Sequence, residues 1–158
     1  MYIIGNIVVG THLPWNRNRI RQIGQEYMVH LRNTAPQELL SILQDFKIED
    51  PEELMEISEE EFREEVSDLG YAFVEEVLLE EGAWEKNYHG GSDDPSAFVG
   101  VEIGSLDETD HIPADELIRQ LTPTEQQTAE AREKYDALPE NVRKILPPFG
   151  VYIVWSSS

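Results

Sequence analysis

Residues 45–85 read DFKIEDPEELMEISEEEFREEVSDLGYAFVEEVLLEEGAWE, and the spacing of apolar residues among the acids decides how this part of the chain folds. Leu54 and Ile57 are three apart. Phe62, Val66 and Leu69 follow at four and three, and Phe73, Val74, Val77 and Leu78 continue the stripe. That is the period of an amphipathic helix. Asp50-Pro51-Glu52-Glu53 offers a cap, a proline at the first helical position and a Glu three residues on, and Ser58-Glu59-Glu60-Glu61 has the pattern of a capping box. Gly70 is placed to end the helix that Ser58 begins. Two short helices are expected, then a longer one from about Tyr71 to Glu81.

The same stretch holds seventeen acidic and two basic side chains, a balance of −15 within a chain of net charge −20. The acids fall mostly off the apolar stripe, so they are expected to face water together. Several are like-charge pairs one turn apart, such as Glu56/Glu60 and Glu61/Glu65, each costing about 0.2–0.5 kcal/mol. With a helical rise of about 1.5 Å per residue the surplus amounts to about one charge per 4 Å, near the spacing along one nucleic-acid strand. This points to a surface for a basic protein, carried by Glu52, Glu53, Glu56, Glu59, Glu60, Glu64, Glu65, Asp68, Glu76 and Glu80. Two plainer readings compete: a solvated face that serves only solubility, and adaptation to high salt. Arginine outnumbers lysine eight to four, which fits the salt reading, but the charge is concentrated and Glu outnumbers Asp twenty-three to nine.

The order Ile48, Leu54, Phe62, Leu69-Gly70, Val74, Val77 resembles a helix-hairpin-helix module over residues 48–77. That family grips phosphate with a basic, glycine-rich hairpin. Here Glu64, Glu65 and Asp68 stand just before Gly70, so the resemblance does not imply DNA binding.

Length and composition fit one domain, residues 1–158, with an acidic helical region at about 34–85. A chain of this size can bury about two-thirds of its unfolded surface without a covalent staple. It has no cysteine, which excludes disulfides, thiolate metal sites and a cysteine nucleophile. MYIIGNIVVG is apolar but short and has no basic region before it, so neither a signal peptide nor a membrane span is expected, and a cytoplasmic location is. Nucleic acid and anionic membranes repel a chain this acidic.

Tyr2–Val9 is β-branched and apolar on both faces, as in a strand buried on both sides. Phe98–Gly104 alternates, and Phe149–Trp155 is a third strand. The two terminal strands are expected near each other at the centre of the sheet. Helices are expected at Arg17–Arg32, from Thr34-Ala35-Pro36-Gln37 on to Phe46, at Pro113–Leu121, from Thr122-Pro123-Thr124-Glu125 to about Leu138 and near Glu140–Leu146, with Gly82–Pro95 a loop. The fold class is therefore α+β: a small, mainly buried sheet of N-terminal, middle and C-terminal strands, covered by several short helices. The first helix carries Arg17, Arg19, Arg21 and Arg32, expected to pair with the acidic stretch within the molecule or else to form a local anion site.

Chemistry finds little support. No Gly-x-Ser-x-Gly, Gly-x-x-x-x-Gly-Lys or His-Glu-x-x-His occurs. An alternative small-ligand, metal or enzyme site would draw on His12, His30 and His89, with Glu26 one turn from His30 and with Asp93 or Asp94 beside His89. Glu102, the acid placed mid-strand, falls on the open face. Trp15, Trp84 and Trp155 are expected to pack at rims, and Trp84, Tyr88 and Phe98 would make an interface anchor if exposed together. The leading expectation is a non-catalytic, cofactor-free binding protein of inhibitor, immunity or nucleic-acid-mimic type, its partner a basic protein such as a nucleic-acid-binding protein or nuclease.

Overall fold

The computed structural model describes residues 3–80, 83–86, 96–107, 109 and 111–157. Its four-stranded antiparallel sheet has the order β2-β3-β1-β4, with β1 at Ile3–His12, β2 at Glu85–Lys86, β3 at Ala97–Asp107 and β4 at Gly150–Ser157. The fold is α+β as expected. Strand β1 is internal, which accounts for its apolar character: Ile7, Val8 and Val9 are buried between two neighbours. It runs on to His12, beyond the expected end at Val9. The C-terminal strand pairs with it as expected but lies at the edge of the sheet, not at its centre. Strand β2 falls within the expected loop Gly82–Pro95, because two residues carry no visible period.

Gly10 faces Gly100 across β1 and β3, with φ of 141° and 145°. A Cβ on either would lie 2.0 Å from a carbonyl oxygen of the facing strand, so only glycine fits at this crossing. Buried Thr11 donates from its hydroxyl to the Pro147 carbonyl at 2.6 Å, which ties the end of β1 to the approach to β4.

The helices are α1 (Arg17–Thr34), α2 (Pro36–Asp45), α3 (Glu59–Val66), α4 (Gly70–Phe73), α5 (Ala114–Gln120), α6 (Glu125–Asp136) and α7 (Glu140–Arg143). Asn16 caps α1 by accepting from the Arg19 amide, Ser58 caps α3 by accepting from the Glu61 amide, and Thr124 and Gln127 form a reciprocal capping box on α6. Helix α6 packs across β3 and β1, while α1 packs against α2, α3, α4 and α7. One large hydrophobic cluster joins the two parts, running from Leu13, Ala97 and Val99 through Ile20, Ile23 and Met28 of α1 to Phe62, Val66 and Phe73.

The acidic stretch departs from expectation in two places. Asp50 does not cap a helix: it has a φ of 50°, and only a 3₁₀ turn, Glu53–Met55, follows. Gly70 does not end a helix either, and no hairpin stands there. A 3₁₀ turn, Ser67–Leu69, leads into α4, where Gly70 is helical with φ −57° and ψ −43°, and a π-type turn, Val74–Leu78, continues it. Gly70 is needed for contact rather than for turning. A Cβ on Gly24 of α1 would lie 1.9 Å from the Gly70 carbonyl oxygen, and one on Gly70 would lie 2.1 Å from that of Arg21. The two helices touch backbone to backbone. Gly24→Ala, a change that favours an isolated helix, is expected to destabilise the protein by about 1–3 kcal/mol or more through overpacking, read as a lower urea midpoint with an unchanged slope.

Candidate functional site: an acidic cleft

The site begins with the end of α2. Lys47 adopts a left-handed φ of 59°, its amide donates to the Gln44 carbonyl at 2.9 Å, and the Ile48 amide donates to that of Leu43 at 3.2 Å. This is a Schellman ending with lysine where glycine is usual. It turns the chain sharply, and Ile48-Glu49-Asp50 becomes one wall of a cleft of about 480 Å³. Glu53, Leu54 and Ile57 extend that wall, and Glu61, Glu64 and Glu65 of α3, with Leu69 beyond it, form the other. On a helix Glu61, Glu64 and Glu65 are three and four residues apart and share a face, while Phe62 and Val66 point the other way into the core.

Six carboxylates therefore rim the cleft, and its floor is apolar. Ile48, Leu54, Ile57 and Leu69 are the outer layer of the main hydrophobic cluster. Every described side chain lining it is acidic or apolar. All ten residues expected from sequence are exposed, but only Glu53, Glu64 and Glu65 line the cleft. Glu52, Glu56, Glu60, Asp68 and Glu76 lie outside it, as do Glu59, paired to Arg63 at 3.3 Å, and Glu80, paired to Lys86. Glu49, Asp50 and Glu61 complete the rim and were missed. The spacing of Glu61 and Glu65 signalled their shared face, whereas the turn that brings Glu49 and Asp50 across has no glycine to announce it.

The arginines of α1 do not neutralise this surface. Arg17 stacks on Tyr71, its guanidinium 4.2 Å from the ring centroid. Arg21 donates to the Ser67 hydroxyl. Arg32 donates to the Ser58 carbonyl at 3.3 Å and to that of Ile57, and lies over Phe62. Gln25 adds a bond to the Arg63 carbonyl at 2.7 Å. Among the described residues no ion pair joins Arg17, Arg19, Arg21 or Arg32 to a carboxylate. Arg17, Arg21 and Arg32 hold the backbone, a hydroxyl and rings of the acidic region, and leave its carboxylates to solvent.

Glu26, on α1, is enclosed instead by Arg63 and Asn141. Arg63 donates to it from Nε at 2.9 Å and from Nη2 at 3.2 Å, and the Asn141 amide donates at 2.9 Å. Burial pushes its pKa up, but the bonds from Arg63 and Asn141 and the Arg63 charge outweigh that and hold it below its ordinary 4.5. A carboxylate with a lowered folded pKa adds stability above its unfolded pKa and loses it as pH falls through the folded one. Glu26→Gln should therefore cost about 1–3 kcal/mol near neutral pH, and the gap to wild type should close under acid, measured by denaturation at several pH values.

The alternative site fares differently. Glu26 is occupied and so is not free to share a ligand with His30. His12 ends β1, its ring edge-on to Tyr152 at 4.7 Å and bonded to the Leu13 carbonyl at 3.0 Å. Among the described residues no group of three acids and histidines is placed to hold a metal ion. His89, Asp93, Asp94 and Tyr88 lie outside the described residues, and Glu102 is exposed. Trp84 is buried and donates to the Tyr27 hydroxyl at 3.0 Å, and Phe98 is buried too, so neither anchors an interface. Burial raises the Tyr27 pKa to about 12 despite that bond. Trp15, expected to pack, is 67% exposed. No described helix is long and apolar enough to cross a membrane. No protein-family model, curated protein or solved structure matches the chain.

Proposed function

We propose that this protein is a non-catalytic binding protein whose acidic cleft receives a basic, amphipathic segment of a protein partner, in the manner of an inhibitor, immunity protein or nucleic-acid mimic. The observation that carries the reading is the uncompensated rim of Glu49, Asp50, Glu53, Glu61, Glu64 and Glu65 over an apolar floor. A lysine or arginine has the matching form, a hydrocarbon stem beneath a charged head. The wider negative surface draws a cation in from a distance, and the cleft then excludes water around it. A partner that normally binds nucleic acid, such as a nuclease, presents cations at comparable spacing. The acidity acts at the cleft and not only for solubility, and the cytoplasm, where such partners work, is its proposed location.

The test uses a defined probe: a helical peptide with leucine at i, i+3, i+4 and i+7 and lysine or arginine between, titrated by calorimetry against the intact chain. Affinity should fall as salt rises, yet persist in part at high salt because the apolar floor is not screened. The triple change Glu53→Gln, Glu61→Gln, Glu65→Gln should weaken binding about tenfold or more, equivalent to about 1.4 kcal/mol. Glu116→Gln, Glu125→Gln, Glu133→Gln alters net charge equally on exposed residues outside the stretch and should leave it near wild type. Equal losses from both triples would reduce the effect to net charge and sink the cleft.

A further inference from the structure

The two edges of the sheet differ. One is β2, two exposed and charged residues, Glu85 and Lys86, a short and guarded end. The other is β4, GVYIVWSS, eight residues without charge or proline. It pairs with β1 on one side, and among the described residues no strand lies on its other side. Its main packing is with β1, because α6 covers β3 and β1 and stops short of it. Val151, Ile153 and Trp155 sit in register with Val9, Ile7 and Gly5, and the side chains of Ile153 and Trp155 lie over Gly5. Val151 remains 38% and Trp155 41% exposed, so an apolar strip borders the open edge.

We propose that β4 pairs with β4 of a second copy, antiparallel about a two-fold axis at Ile153, so that two four-stranded sheets become one. A strand edge accepts an extended backbone and little else, and the charge distribution selects which one. Copies of net charge −20 repel each other everywhere except where no acid is present. Neither β4 nor β1 contains an acidic residue. A basic partner gains nothing from a neutral strand, whereas the strand is complementary to itself: the axis sets Val151 opposite the second copy's Trp155 and Ile153 opposite its own counterpart, apolar cross-strand pairs of the kind that stabilise sheets. The pairing is independent of what the acidic cleft binds.

Sedimentation of the intact chain from micromolar to millimolar concentration, at low and high salt, tests this. A dimer is expected whose affinity rises with salt, as screening weakens repulsion between the bodies. Val151→Lys, on an exposed side chain, should weaken it about tenfold or more. Hydrogen exchange of wild type provides a second readout that no misfolded variant can confuse: amides within residues 150–157 should gain protection as protein concentration rises. A monomer at every concentration and salt would overturn the proposal. So would a dimer that leaves those amides unprotected, or protection of them that appears only when a different protein is added.

Discussion

The contact between Gly24 and Gly70 is the constraint on which the helical half depends. Helix α1 is the element that the acidic stretch folds against, and without side chains at the crossing it approaches α4 until carbonyl oxygens sit where Cβ atoms would be. That approach places Phe62, Val66 and Phe73 in the same buried cluster as Ile20, Ile23 and Met28. It also brings the arginines of α1 within reach of the carbonyls of Ile57 and Ser58, the Ser67 hydroxyl and the Tyr71 ring. Backbone contact and arginine clamp reinforce each other, and together they hold a segment whose charges push it apart.

The consequence is electrostatic. Like-charge pairs one turn apart cost a few tenths of a kcal/mol each, and a stretch with several of them needs anchoring that leaves the carboxylates alone. Bonds to carbonyls and rings provide it. They use the full charge of the guanidinium against fixed dipoles and faces of π-electrons, while the acids keep their hydration. Glu26 shows the contrast: where a carboxylate serves the fold, it is enclosed by Arg63 and Asn141. The carboxylates of the cleft are exposed and take no such partners among the described residues, which separates acids that hold the fold from acids that face outward.

Much of this was legible from residue order. Helical period and the cap at Ser58 are local properties, as is the apolar run of β1. The exposure of the acids followed from their position off the apolar stripe. The cleft was harder to see because it depends on two segments meeting. Lys47 takes a conformation that glycine would have advertised, so the turn setting Glu49 and Asp50 opposite Glu61 carried no signature. Gly70 misled for the converse reason: glycine marks helix ends so often that its use as a contact inside helical structure was missed. Strand β4 misled by composition, since an apolar strand suggests the middle of a sheet, and this one lies at its rim.

Sequence alone determined the class of the fold, the extent of the acidic region and the absence of disulfides, because periodicity and composition are read along the chain. Tertiary structure decided which acids share a cleft, where the arginines of α1 are used, and which sheet edge is left open. Those outcomes depend on contacts between residues far apart in sequence, such as Gly24 with Gly70 and Arg32 with Ile57, and a close approach of two backbones leaves no trace in local pattern beyond a glycine that could serve several purposes.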